Sequence, residues 1–122
     1  MLRCPIALAA TLALGLAGSA PAFAHALLRA ADPPVGSEIA HAPADLSLRF
    51  SESVEPAFCR VTVTDAAGAA MASGTLHIDP HDAKRLLLPL RTLPPGVYTV
   101  TWHATSTDTH RTEGRFRFTV TR

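Results

Sequence analysis

Residues 97–103 read VYTVTWH. Apolar and polar side chains alternate strictly here, and in a strand successive side chains point to opposite faces. Tyr98, Val100 and Trp102 therefore line one face, with Thr99, Thr101 and His103 on the other. The preceding residues, Pro94-Pro95-Gly96, are turn formers. A tyrosine just after such a turn matches the tyrosine corner of Greek-key sandwiches.

Working outward, the same period of two recurs on both sides. LSLRFS (46–51) places Leu46, Leu48 and Phe50 together, and CRVTVT (59–64) does so with Cys59, Val61 and Val63. TLHI (75–78) and RLLLPL (85–90) alternate less cleanly, and RFRFTV (115–120) aligns Phe116, Phe118 and Val120. Pro33-Pro34, residues 65–68 and Asp79-Pro80 punctuate these runs. No stretch carries a long 3.6-residue stripe, so helix is expected to be minor. The pattern predicts an all-β fold: a single Greek-key antiparallel β-sandwich, immunoglobulin-like or cupredoxin-like, of about seven strands.

The first 24 residues are different in kind. Arg3 supplies a positive start, Ile6–Gly18 an apolar run, and Ala22-Phe23-Ala24 a small-x-small cleavage pattern. Residues 1–24 are read as a secretory signal peptide cleaved after Ala24, and residues 25–122 as one domain. The apolar run is short for a membrane span, and LLLPL is the longest later cluster, so the mature chain is not expected to insert in a membrane. Of eleven basic residues Arg3 leaves with the signal, balancing the remainder against ten acidic ones. Such a chain has no electrostatic hold on nucleic acid. Cys4 also leaves, which makes Cys59 a lone thiol, without an internal disulfide, read as a small core residue.

Cleavage after Ala24 makes His25 the first residue. An N-terminal histidine offers a free α-amine and ring Nδ1, which together close one chelate ring on a metal. Near the end of the Trp102 strand, Ser106-Thr107-Asp108-Thr109-His110 supplies an Asp-x-His pair. In extended backbone residues i and i+2 share a side, so a carboxylate and an imidazole can stand together. Taken alone, Asp-x-His is a weak signal, and its ordinary reading is a turn in which the Asp bonds nearby backbone. With His25 the set becomes three nitrogens and one oxygen, which suits Cu(II) better than tetrahedral zinc.

The chain resembles the CopC family of periplasmic copper-binding proteins. The likeness runs through His25-Ala26-x-Leu28, DPPVGSEI (32–39), LRFSESVEPAF (48–58), LPPGVYTVTW (93–102), STDTH (106–110) and GRFRFTV (114–120). It implies a periplasmic protein that sequesters or carries copper in copper resistance, with one Cu(II) per chain held by His25, Asp108 and His110. It adds Glu52, in the FSE segment, as a residue near the metal in some members. It also implies an inner-membrane copper-uptake partner of the CopD type. The chain itself is read as a monomer and not an enzyme. Some members carry a methionine-rich copper(I) site, but beyond residue 24 only Met71 is present, so a single Cu(II) site is expected.

Other readings stand beside this one. A histidine and an N-terminal histidine also make the brace of copper-dependent oxidative enzymes, but those need open coordination positions that Asp108 would fill. A metal-free adhesion sandwich leaves His25 and Asp-x-His without a purpose. His77, Asp79 and His81 could form a second, exposed site, though Pro80 interrupts their strand. His103 is read as a solvated neighbour of the site, His41 as a loop residue without a partner, and Glu55 as a turn carboxylate. No Ser-His-Asp set or phosphate loop is present.

Overall fold

The computed structural model describes residues 27–122. The signal segment, its cleavage site and His25 lie outside the described residues. Eight strands form: β1 (Leu28–Asp32), β2 (Glu38–Ile39), β3 (Asp45–Phe50), β4 (Arg60–Thr64), β5 (His77–Asp79), β6 (Asp82–Pro89), β7 (Gly96–Thr105) and β8 (Arg111–Val120). They make two four-stranded sheets, ordered β1-β3-β6-β5 and β2-β8-β7-β4. The only helical element among the described residues is a 3-10 turn, Pro56–Phe58.

The alternating runs bury the side chains expected of them. Leu46, Leu48, Phe50, Leu86 and Leu88 from one sheet meet Val63, Tyr98, Val100, Phe116 and Phe118 from the other, all nearly or fully buried. Tyr98 stacks on Phe118 at 5.5 Å between ring centroids. Its hydroxyl donates to the Pro94 carbonyl at 2.5 Å, so the corner inferred from the Pro-Gly turn is formed. β7 and β8 pair over their full ten residues, from Gly96↔Val120 to Thr105↔Arg111. This long hairpin carries the 106–110 loop to one end of the sandwich.

Two strands exceed the expected set. β1 pairs with the edge of β3 through an irregular register between Leu28 and Ala30, and its exposed residues leave no alternation to read. β2 is two residues long and lies parallel to β8, an exception to the antiparallel rule. Cys59 sits just before β4, half-buried against the core rather than within it. Met71 is buried in the core.

Candidate metal centre

At the end where β7 gives way to β8, residues 106–110 fold around Ser106. Its side chain is buried, with the residue 2% exposed. Ser106 N–H donates to the His110 carbonyl at 2.8 Å, and Thr109 N–H donates to the Ser106 carbonyl at 2.9 Å. The Ser106 hydroxyl donates a short hydrogen bond to Asp108 Oδ1. The Ser106 hydroxyl oxygen also accepts from His110 N–H at 3.1 Å. One buried hydroxyl thus touches both members of the Asp-x-His pair.

The pair comes together by a different route from the one the spacing suggested. Thr109 lies between them at φ 73°, in the left-handed region that β-branched residues avoid, so the loop is not extended. The outcome is nonetheless a juxtaposed carboxylate and imidazole: Asp108 Oδ2 stands 3.2 Å from His110 Nδ1. The Asp108 carboxyl is held below its ordinary range, chiefly by the Ser106 hydroxyl and then by the neighbouring His110 ring. An ionised carboxylate is the form that binds a cation.

Glu52 arrives from the opposite sheet. After β3 the chain crosses the open end of the sandwich, and backbone bonds fasten the crossing to the loop. Thr107 N–H donates to the Ser53 carbonyl at 3.0 Å and Glu55 N–H to the Thr105 carbonyl at 2.9 Å, while Val54 bridges Ser106. Glu52 Oε2 therefore lies 3.9 Å from His110 Nδ1, and donor atoms of Glu52, Asp108 and His110 fall within 4.8 Å of one another. No other such triad forms among the described residues. Glu52 Oε2 is withdrawn from water, and its polar neighbours are the His110 ring and the Asp108 carboxyl.

The two separations measured from His110 Nδ1 suit one small divalent ion. Two donors each about 2.0 Å from a metal stand about 2.8 Å apart when adjacent in a square and about 4 Å apart when opposite. The observed 3.2 and 3.9 Å fall in that range. The set of one imidazole and two carboxylates is two nitrogens short of a nitrogen-rich copper site. Leu27 stands beside it: its N–H donates to Ser51 Oγ at 2.9 Å, and Ser51 N–H donates to its carbonyl at 2.8 Å.

The other sequence candidates are not drawn in. His103 faces outward and pairs across the hairpin with Glu113 at 3.0 Å. His77 Nδ1 bonds the Thr75 carbonyl, Asp79 accepts from the His81 backbone and pairs with Arg85, and no triad gathers there. His41 is exposed, and Glu55 caps the 3-10 turn through Ala57 N–H. Cys59 donates to the Glu55 carbonyl at 3.1 Å, and burial pushes its thiol up, away from the thiolate a metal needs. Ser106 is the residue whose part the sequence reading missed. The signal for it was a serine two positions before an aspartate in a loop, where such side chains bond locally.

Comparison with known proteins adds the family. Residues 28–121 match the CopC domain. Copper resistance protein C of Escherichia coli is 35% identical over 121 residues, spanning 89% of this chain and 90% of that protein. The crystal structure of CopC from Methylosinus trichosporium OB3b superposes with a TM-score of 0.72 at 30% identity, covering 80% of this chain and 94% of that one. PcoC, a methionine-rich copper resistance protein from Escherichia coli, superposes with a TM-score of 0.68 at 31% identity, covering 80% and 99%. Two of these names are of copper resistance proteins, and none is of an enzyme. The chain belongs to the CopC family.

Proposed function

We propose that the exported chain, cut after Ala24, is a periplasmic protein that sequesters or carries copper as Cu(II), one ion per chain. His25 would supply its α-amine and ring nitrogen, His110 a third nitrogen and Asp108 one oxygen, with Glu52 alongside. The observation that carries this reading is the meeting of Glu52, Asp108 and His110 beside Leu27. Two residues of chain reach at most about 7 Å, so a terminus at His25 starts close to that cluster. The donor chemistry supports copper over harder cations, since imidazole and amine nitrogens favour Cu(II) in the divalent series. An inner-membrane copper-uptake protein of the CopD type is the proposed partner.

Titration of Cu(II) into protein verified by mass to begin at His25, followed by electron paramagnetic resonance, tests this. The expected result is one tight equivalent with a nitrogen-rich tetragonal spectrum. Two equivalents of similar affinity would sink the one-site count, and absence of tight binding would sink the reading.

A further inference from the structure

We propose that Ser106 is the positioning residue of this site, holding Asp108 and His110 in a metal-ready arrangement before any ion arrives. The proposal rests on the copper-site reading. Four contacts carry it: the hydroxyl donates to Asp108 Oδ1, accepts from His110 N–H, and the Ser106 backbone bonds His110 and Thr109. Because Oδ1 is engaged, Asp108 is left with Oδ2 facing His110 Nδ1. This arrangement favours ligation through Oδ2. A carboxylate free to use both oxygens suits the hard, high-coordination cations instead.

A small residue is needed for this task. At 2% exposure Ser106 is closed off from water, and the Val54 bridge and the Thr107–Ser53 bond hold the backbone on either side. Alanine would fit the space but leave Asp108 Oδ1 and His110 N–H without their partner. Only the backbone bonds of Ser106 to Thr109 and His110 would then remain of the four contacts. The ligands would rotate away from each other, and binding would have to order them first.

The test uses the mature chain beginning at His25, with Ser106→Ala, Ser106→Thr, Asp108→Ala and the Ser106→Ala/Asp108→Ala double variant. Competition titration with Cu(II) should show a loss of roughly 10–100-fold for Ser106→Ala, the usual effect of removing a group that orients metal ligands. Ser106→Thr, which keeps the hydroxyl but adds a methyl group in a closed space, should bind more tightly than Ser106→Ala though below the native level. In the Asp108→Ala background the serine change should add little, because its partner is gone. Ser106→Ala binding within twofold of native, or an equal loss with and without Asp108, overturns the proposal. Backbone relaxation of the unsubstituted, metal-free chain gives a readout that needs no variant. Residues 106–110 should be as rigid as β7 and β8, and order parameters below about 0.6 there would overturn it. If the native chain takes up no Cu(II), the site reading falls, while rigidity of the metal-free loop still decides the role of Ser106.

Discussion

His110 and His25 bear unequal burdens in the proposed site. His110 sits in a loop outside the alternating core, with its side chain 42% exposed, so His110→Ala should leave the unfolding transition of the metal-free chain unchanged. Copper affinity should fall roughly a hundredfold or more, beyond the loss expected from an orienting group. Loss of cooperative unfolding in the metal-free variant would instead make His110 a structural residue. At His25 the expectation concerns the amine. One extra residue ahead of His25 turns that amine into an amide, a far poorer ligand, while the imidazole and the 106–110 loop are untouched. Affinity should drop steeply and the resonance spectrum should lose one equatorial nitrogen. Equal binding by the extended chain would remove the amine from the ligand set. That Asp108 and His110 stand together was expected from their i, i+2 spacing, but the extended backbone assumed for it is absent, and a left-handed Thr109 brings them together instead. Glu52 came only through family resemblance, since no local pattern links residue 52 to residue 110. Ser106 was hidden because its role depends on a left-handed Thr109 that residue types do not announce.

At the scale of the element, the period of two located β3, β4, β6, β7 and β8, because each buries one face against the opposing sheet, and β5 less cleanly, since only Ile78 packs against the core. β1 and β2 were not legible. An edge strand with exposed residues, and a two-residue parallel pairing, bury too little to leave a pattern. Within the β7–β8 hairpin, Trp102 faces Gly114 and spreads its ring across it. A Cβ at position 114 would stand 2.3 Å from the ring, so Gly114→Ala must displace Trp102. A cost of about 1–3 kcal/mol is expected for such overpacking, and Tm should fall by roughly 4–8 °C per kcal/mol. Emission from this single tryptophan should shift as the ring moves; unchanged Tm and emission would show that the strands yield instead. On the other sheet, Arg49 donates to Asp82 at 2.8 Å and, with the Lys84 N–H, holds the Asp82 carboxyl below its ordinary 3.8. A depressed carboxyl stabilises the fold above its unfolded value and loses that contribution as pH falls through the folded one. The stability gap between native and Asp82→Asn chains should therefore be constant from neutral pH to about 3.8 and narrow below it. A gap that holds to still lower pH would argue against the pair.

For the whole molecule, the site lies where the two sheets are joined at one end. Glu52 hangs from the segment leaving β3 in one sheet, and Asp108 and His110 from the hairpin of the other. An ion touching both would fasten the sheets together, and that arrangement exists only in the folded chain. Binding to the folded form alone stabilises it by about 2.7 kcal/mol at a free ion concentration one hundred times Kd. For a domain of this size the gain corresponds to a Tm rise of roughly 10–20 °C. The unfolded chain still carries His25 with its amine, which retains some affinity and trims the rise toward the lower end. Scanning calorimetry with buffered free Cu(II), on protein beginning at His25, measures it. Glu52→Ala should reduce the rise if the carboxylate bridges to the ion, and His110→Ala should nearly abolish it, since both cut the link between the sheets. A native chain that binds Cu(II) tightly with no change in Tm would place the ion on the N-terminal residue alone, and the joining of the sheets by metal would then be wrong.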